Sequence, residues 1–278
     1  MAINVVLTEK GLVAVSIDLE ALFEEWPHDP SDDDKNVRVA HASDGRRVVQ
    51  LRVRGGVFQW EYEGRPDGRR PYGFPSLLDY HRQRISELDR REGPGSSLAL
   101  EKDDIDEIAE ELMDYYQRRV LFFRLGDYEL ARLDAEHNLE LMNIIRDHCS
   151  DPSLMLEHEQ WRPFVTMDRA RADALVSCQG GAYVEGMNKI DRGVEEIADF
   201  YRHHGRTDLV QLSQEIAALN DLKTHLRETY NIPLSRDEVL DGLREEQQKA
   251  IADEDYERAA RLRDEISRFE SGDTSDAI

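Results

Sequence analysis

The 278-residue sequence predicts a mainly α protein with a small α+β N-terminal domain, followed by a helical-hairpin bundle that ends in an αα-hairpin. Three observations carry this expectation. From residue 103 onward, apolar residues recur at steps of three and four between glycine-containing turns, which is the helical period. Between residues 37 and 62 they alternate instead, around the turn signals Asp44-Gly45 and Gly55-Gly56. Over residues 238–270, two amphipathic stretches flank the acidic turn Ala252-Asp253-Glu254-Asp255, whose carboxylates suit the free N–H groups and positive dipole end of a helix.

The alternating segment reads as an antiparallel meander. Val37, Val39 and His41 line one face, as do Val49, Leu51 and Val53, and then Phe58, Trp60 and Tyr62. One face is wet and the other packed. Three strands alone cannot cover the packed face. A short helix at residues 19–26, capped by Asp18 and stopped by Pro27, and the next helix, at 75–91, are expected to cover it. Ahead of them, the β-branched runs at 3–7 and 12–17 read either as a hairpin or as a leader in front of the domain. Residues 64–73 hold too much glycine and proline for regular structure. Gly93-Pro94-Gly95-Ser96-Ser97 reads as a linker. It separates a domain over 1–92 from a bundle over 98–231, followed by a hairpin over 232–271 and a tail over 272–278.

Within the bundle, helices are expected over 103–125, 128–148, 164–179, 183–203 and 207–230, with an irregular stretch between Pro152 and Pro163. Three turns share a pattern, an aromatic residue followed three positions later by a small one: Tyr128 and Ala131, Tyr183 and Gly186, Tyr256 and Ala259. The small residue lets two helices approach and the aromatic wedges beside it. Spacings of 55 and 73 residues argue for hairpins with a shared packing solution, not for a tetratricopeptide array with its period of about 34.

The formal charge of -23 disfavours nucleic acid and anionic membrane surfaces over much of the molecule and favours basic protein partners. Cys149 and Cys178 lack a metal-ligand spacing and indicate a reducing compartment. The apolar start at residues 2–7 has no basic flank and no apolar run approaches a membrane span, so the expected location is cytoplasmic. No phosphate-binding glycine loop, nucleophile elbow or Cys/His protease pattern is present. Asp134-x-x-His137 is one half of a dimetal motif that needs two such pairs. Its plainer reading is a hydrogen-bonded histidine on an inner helix face. Glu157-His158-Glu159 reads as solvated loop. The acidic start of the helix at 103–111 suits the helix dipole. No enzymatic activity, metal or cofactor is expected.

One segment runs against the global charge. Residues 37–72 hold eight arginines and four acids, a local +4 against -27 for the remainder, together with Phe58, Trp60, Tyr62 and Tyr72. Arg52, Arg54, Arg65, Arg69 and Arg70 are therefore candidate anion-binding residues, with single-stranded nucleic acid as one ligand held by stacking and phosphate contact. The alternative is that the aromatics form the core and the arginines pair with acidic helices.

Near the C-terminal end, Ala250-Ile251, Asp255-Tyr256-Glu257-Arg258-Ala259-Ala260 and Leu262-Arg263-Asp264-Glu265-Ile266 resemble the UVR motif. That motif is named for the excision-repair subunits UvrB and UvrC and also occurs in the ClpC unfoldase, its regulatory partner McsA and the chloroplast Executer proteins. The resemblance implies a helical hairpin that docks other proteins. More weakly, residues 50–68 resemble the N-terminal part of uncharacterised bacterial proteins that carry a C-terminal UVR motif.

The expected function is that of an adaptor or scaffold whose hairpin packs on a partner or on a second copy, through Tyr256, Ala259, Leu262, Arg263, Asp264, Ile266 and Phe269. The same stripe has a second reading, packing on the chain's own helix over 209–230. Two further expectations follow from the resemblance: an accessory factor of excision repair that contacts UvrB- or UvrC-like partners or DNA, and a regulator of a Clp-type protease or a protein kinase. The chain lacks the zinc-type cysteine pairs that accompany the motif in McsA.

Overall fold

The computed structural model describes residues 19–271. The runs at 3–7 and 12–17, the Asp18 cap and the tail over 272–278 lie outside the described residues. The chain divides into two compact units, Met1–Leu222 and Lys223–Ile278. The first contains α1 (Glu20–Glu25), a 3-10 turn (Asp33–Asn36), β1 (Val37–His41), β2 (Arg47–Val53), β3 (Gly56–Glu61) and a second 3-10 turn (Pro71–Gly73). It continues with α2 (Leu77–Glu92), α3 (Lys102–Leu125), α4 (Tyr128–His148), α5 (Pro152–Glu159), α6 (Arg162–Gln179), α7 (Tyr183–His203) and a third 3-10 turn (Thr207–Leu209). Helix α8 (Gln214–Tyr230) crosses into the second unit, which holds α9 (Arg236–Ala252) and α10 (Tyr256–Ser271).

Two helix assignments differ from the sequence expectation. Residues after Pro152 form α5 because proline fits the first helical turn, and Asp151 caps it by accepting from the Ser153 and Leu154 amides. The single helix expected over 207–230 is interrupted. Ser213 starts a new helix there, its hydroxyl accepting from the Ile216 amide at 3.2 Å.

The sheet order is β1-β2-β3, antiparallel throughout, with Val39 opposite Val49 and Val49 opposite Trp60. The face carrying Val37, Val49, Trp60 and Tyr62 packs on Leu121 and Phe122 of α3, Ala131 of α4 and Ala172 of α6. Helix α1 was expected on this face but meets the opposite one. There Arg38 stacks 4.1 Å over Trp26 and Arg52 3.7 Å over Phe23. A six-residue helix with no buried side chain is too small a cover for the apolar face, so the long helices take it. Residues 93–97 therefore connect parts of one packed unit. A second cluster joins Leu77 and Leu78 of α2 to Ile105 and Ile108 of α3 and to Leu141, Ile144 and Ile145 of α4.

Charged side chains fix these contacts. Arg118 forks onto Asp134 at 2.6 and 2.9 Å, both buried, and also donates to the carbonyls of Glu61 and Gly64 at 2.8 Å. Arg119 donates to Asp168 at 2.9 Å, tying α3 to α6. Buried Glu111 receives the Leu77 amide at 2.9 Å, lies 2.7 Å from His137 Nε2 and ion-pairs with Arg65 at 2.9 Å. Burial pushes the Glu111 carboxyl up, but these hydrogen bonds and charges outweigh it and hold the group below its ordinary value.

Helices α6 and α7 approach closely through small residues. A Cβ at Gly193 would lie 2.3 Å from Ala170 Cβ, and one at Gly186 would lie 3.0 Å from the Ala174 carbonyl. Gly193→Ala is expected to lower stability by about 1–3 kcal/mol through overpacking. Gly242→Ala, in open space on α9, is expected to raise it by up to about 1 kcal/mol. Denaturant titration of both variants checks the pair.

Candidate functional site

The second unit is built around the hairpin of α9 and α10. Ser235 and Glu238 form a capping box: the Ser235 hydroxyl accepts from the Glu238 amide at 3.2 Å, and Glu238 accepts from the Ser235 amide at 2.8 Å. Glu238 also binds Lys223 at 2.6 Å and Arg227 at 2.5 Å, both on the last turns of α8. Burial raises its carboxyl, but the Lys223, Ser235 and Arg227 hydrogen bonds outweigh that and bring it down to about 2.

The turn between the helices repeats a geometry found twice in the first unit. The Asp127 amide donates to the Phe122 carbonyl at 2.9 Å, the Ala182 amide to Ser177 at 2.8 Å and the Asp255 amide to Ala250 at 2.8 Å. The residue preceding each donor has positive φ: Gly126 at 75°, Gly181 at 78° and Glu254 at 60°. The small residues of the shared pattern, Ala131, Gly186 and Ala259, are all buried. The hairpin thus places a carboxylate-bearing residue in a left-handed conformation that the other two turns give to glycine.

The seven residues singled out from the sequence divide into two groups. Ala259, Leu262 and Ile266 are 7%, 8% and 9% exposed. Ala259 and Leu262 pack with Ala250 and Leu243 across the hairpin seam, so Leu262 is a seam residue of the hairpin itself. Phe269 is half-buried, and Arg236 lies 6.0 Å over its ring and donates to its carbonyl at 2.7 Å. Tyr256 is 68% exposed. Arg263 and Asp264 are exposed and paired with each other at 2.8 Å. Ile251, not singled out as a contact residue, is also exposed, four residues before the turn's aspartate Asp255.

The five candidate anion-binding arginines do not form one site. Arg52 is 4% exposed and donates to the carbonyls of Trp26 at 3.0 Å and Gly56 at 3.1 Å. Arg65 is held by Glu111, and Arg69 lies 3.8 Å from Asp67. Arg54 and Arg70 are exposed, without an ion-pair partner among the described residues. The aromatics are also engaged. Tyr62 donates to Asp127 at 2.6 Å, and burial together with that carboxylate pushes its hydroxyl up to about 12. Tyr72 stacks on Tyr80 at 4.2 Å. Asp134 and His137 have separate partners, Arg118 and Glu111. The described residues contain no group of three or more His, Cys, Asp or Glu placed to hold a metal ion.

Two outcomes are expected from the hairpin geometry. Because the Glu238 carboxyl is depressed in the fold, its contribution is complete above pH 4.5 and is lost as pH falls toward 2. Glu238→Gln is expected to flatten the acid limb of the hairpin's stability, read by hydrogen exchange along α9. Glu254→Gly is expected to relieve about 1 kcal/mol of backbone strain. Exchange of the Ala259 amide should then slow roughly fivefold.

A family model described as the UvrB/uvrC motif matches residues 237–272. No curated protein and no solved structure matches the chain. Residues 50–68, with their weaker resemblance, lie outside the matched segment. No helix among the described residues is long and apolar enough to cross a membrane. The hairpin of α9 and α10 is the segment that carries the match to the UvrB/uvrC motif.

Proposed function

We propose that this protein is a non-enzymatic adaptor or scaffold that docks a protein partner, or a second copy of itself, through the outer surface of its UVR hairpin. The observation that carries the reading is the division of the hairpin's residues. Ala259 and Leu262 are packed in the seam and Ile266 is buried, while Tyr256, Ile251 and the Arg263–Asp264 pair are exposed. An exposed aromatic and an exposed apolar residue can supply burial, and an exposed charge pair supplies orientation more than affinity.

A protein partner is favoured over DNA by the state of the hairpin's arginines. Arg244 binds Glu270 at 2.7 Å, Arg258 binds Glu246 at 3.0 Å, Arg236 binds main-chain carbonyls and Arg263 binds Asp264. Phosphate contact would have to break these pairs, and the net charge of the chain opposes approach to a duplex.

The test compares two variants of the full-length protein. Tyr256→Ser/Arg263→Ala/Asp264→Ala is expected to lose a co-purifying partner, or self-association in sedimentation, with an unchanged melting temperature. Leu262→Asp is expected to destabilise the hairpin by about 3 kcal/mol or more, since it loses apolar burial and places a carboxylate in the seam. Unchanged partners and self-association in the surface variant would refute the docking role. The partners retained by the unmodified protein separate excision-repair subunits from Clp-type or kinase systems.

A further inference from the structure

Helices α3 and α6 of the first unit meet along one register. Tyr116 meets Phe164 edge-on at 5.8 Å, Arg119 donates to Asp168 at 2.9 Å, and Arg171 stacks 4.5 Å over Phe123. The residue numbers in these pairs differ by 48 or 49, so the two helices run parallel, and successive pairs are about one helical turn apart. The same register carried one turn toward the start of α6 gives Met113 and Trp161. These two are 52% and 61% exposed. The seam between α3 and α6 therefore ends in an uncovered rung, a thioether and an indole one turn from the half-buried rings of Tyr116 and Phe164. Single exposed apolar residues need no partner, but aromatic and methionine side chains gathered on one surface have the composition of an interface core.

The next turn on each side carries a carboxylate. Glu110 lies three residues before Met113 on α3, and Glu157 four residues before Trp161. The Gln160 amide donates to the Leu156 carbonyl at 3.1 Å and the Trp161 amide to His158 at 3.0 Å, so helical turns continue from α5 into α6. A hydrogen bond to Asp106 and the charges of Asp106, Asp103 and Glu157 raise the Lys102 ammonium, which places Glu157 of α5 beside the acidic start of α3. Glu110 and Glu157 are exposed and have no ion-pair partner among the described residues. An apolar rung is thus followed by a negative one, and this order selects the occupant. Water or a lone cation leaves Met113 and Trp161 uncovered. A second copy related by a two-fold axis apposes the patch to itself and brings like carboxylates together. Nucleic acid and anionic membranes are repelled. A basic protein segment satisfies both rungs, and a third helix is the element that packs along a seam between two others.

We propose that the Met113–Trp161 end of the α3/α6 seam docks a basic amphipathic helix of a partner protein. An apolar side chain of the partner seats on Met113 and Trp161, and a lysine or arginine about one turn away meets Glu110 and Glu157. The surface belongs to the first unit and does not depend on the docking role given to the UVR hairpin. The test is nuclear magnetic resonance titration of the ¹⁵N-labelled full-length protein with three synthetic helical peptides: an amphipathic leucine–lysine helix, the same helix with alanine for leucine, and the same helix with glutamate for lysine. The leucine–lysine peptide is expected to give saturating shifts of the Trp161 indole N–H and the Met113 amide, the alanine–lysine peptide to bind at least tenfold more weakly, and the leucine–glutamate peptide not to bind. In Met113→Ser/Trp161→Ser, affinity for the leucine–lysine peptide should fall at least tenfold, about 1.4 kcal/mol, with an unchanged melting temperature. In Glu110→Gln/Glu157→Gln it should fall about threefold and depend less on salt. Equal affinity for the two lysine peptides would overturn the proposal in favour of charge alone. Shifts of the Trp161 indole on dilution of the protein without peptide would overturn it in favour of a second copy. The absence of a saturating response at Trp161, as expected if water or the chain's own residues occupy the seam, would overturn it too.

Discussion

The first unit depends on the buried fork between Arg118 and Asp134. One guanidinium joins α3 to α4 through two charge-assisted hydrogen bonds, and its remaining N–H reaches the carbonyls of Glu61 and Gly64, where the sheet ends and the long loop begins. Removing one member of such a pair leaves an uncompensated buried charge, at about 3–5 kcal/mol. The sheet, the loop and both helices are therefore fixed by a side chain whose length and planarity no lysine reproduces. Arg119 continues the arrangement one residue later by binding Asp168 of α6. Consecutive residues on a helix point about 100° apart, and these two arginines use that angle to clamp α3 to neighbours on two sides.

A second constraint governs the helical hairpins. In each of three turns, a positive-φ residue reverses the chain, and the amide after it returns to a carbonyl five residues back. A small residue then seats against the preceding helix. In the C-terminal hairpin this solution buries Ala259 and Leu262 in the seam, while Tyr256, Ile251, Arg263 and Asp264 are among the exposed residues. Surface ion pairs contribute little stability. Arg263 and Asp264 therefore contribute little to the hairpin's own fold.

The paired arginines reinterpret the basic segment over residues 37–72. Its charge excess is evident from composition, but most of its cations are spent on partners distant in sequence. Glu111 lies 46 residues beyond Arg65, and the Trp26 carbonyl 26 residues before Arg52. Such pairings follow from how helices pack against the sheet, and periodicity carries no information about them. The buried arginines of α3 escaped the sequence reading for a related reason. A run such as Gln117-Arg118-Arg119 has the composition of a solvated face, and its burial is set by Asp134 and Asp168 on other helices.

Local order fixed what the sequence alone determined. Alternation and turn residues located three strands, the helical period and glycine breaks located most helices, and residues 250–266 identified the UVR hairpin. All of these rest on interactions within a few residues or one turn. The tertiary structure decided which face each element presents. It moved α1 to the arginine side of the sheet, made one core of residues on both sides of the 93–97 segment and turned Leu262 inward to the hairpin seam. These outcomes depend on which surfaces are large enough to cover one another, a property of assembled elements that no single stretch of chain possesses.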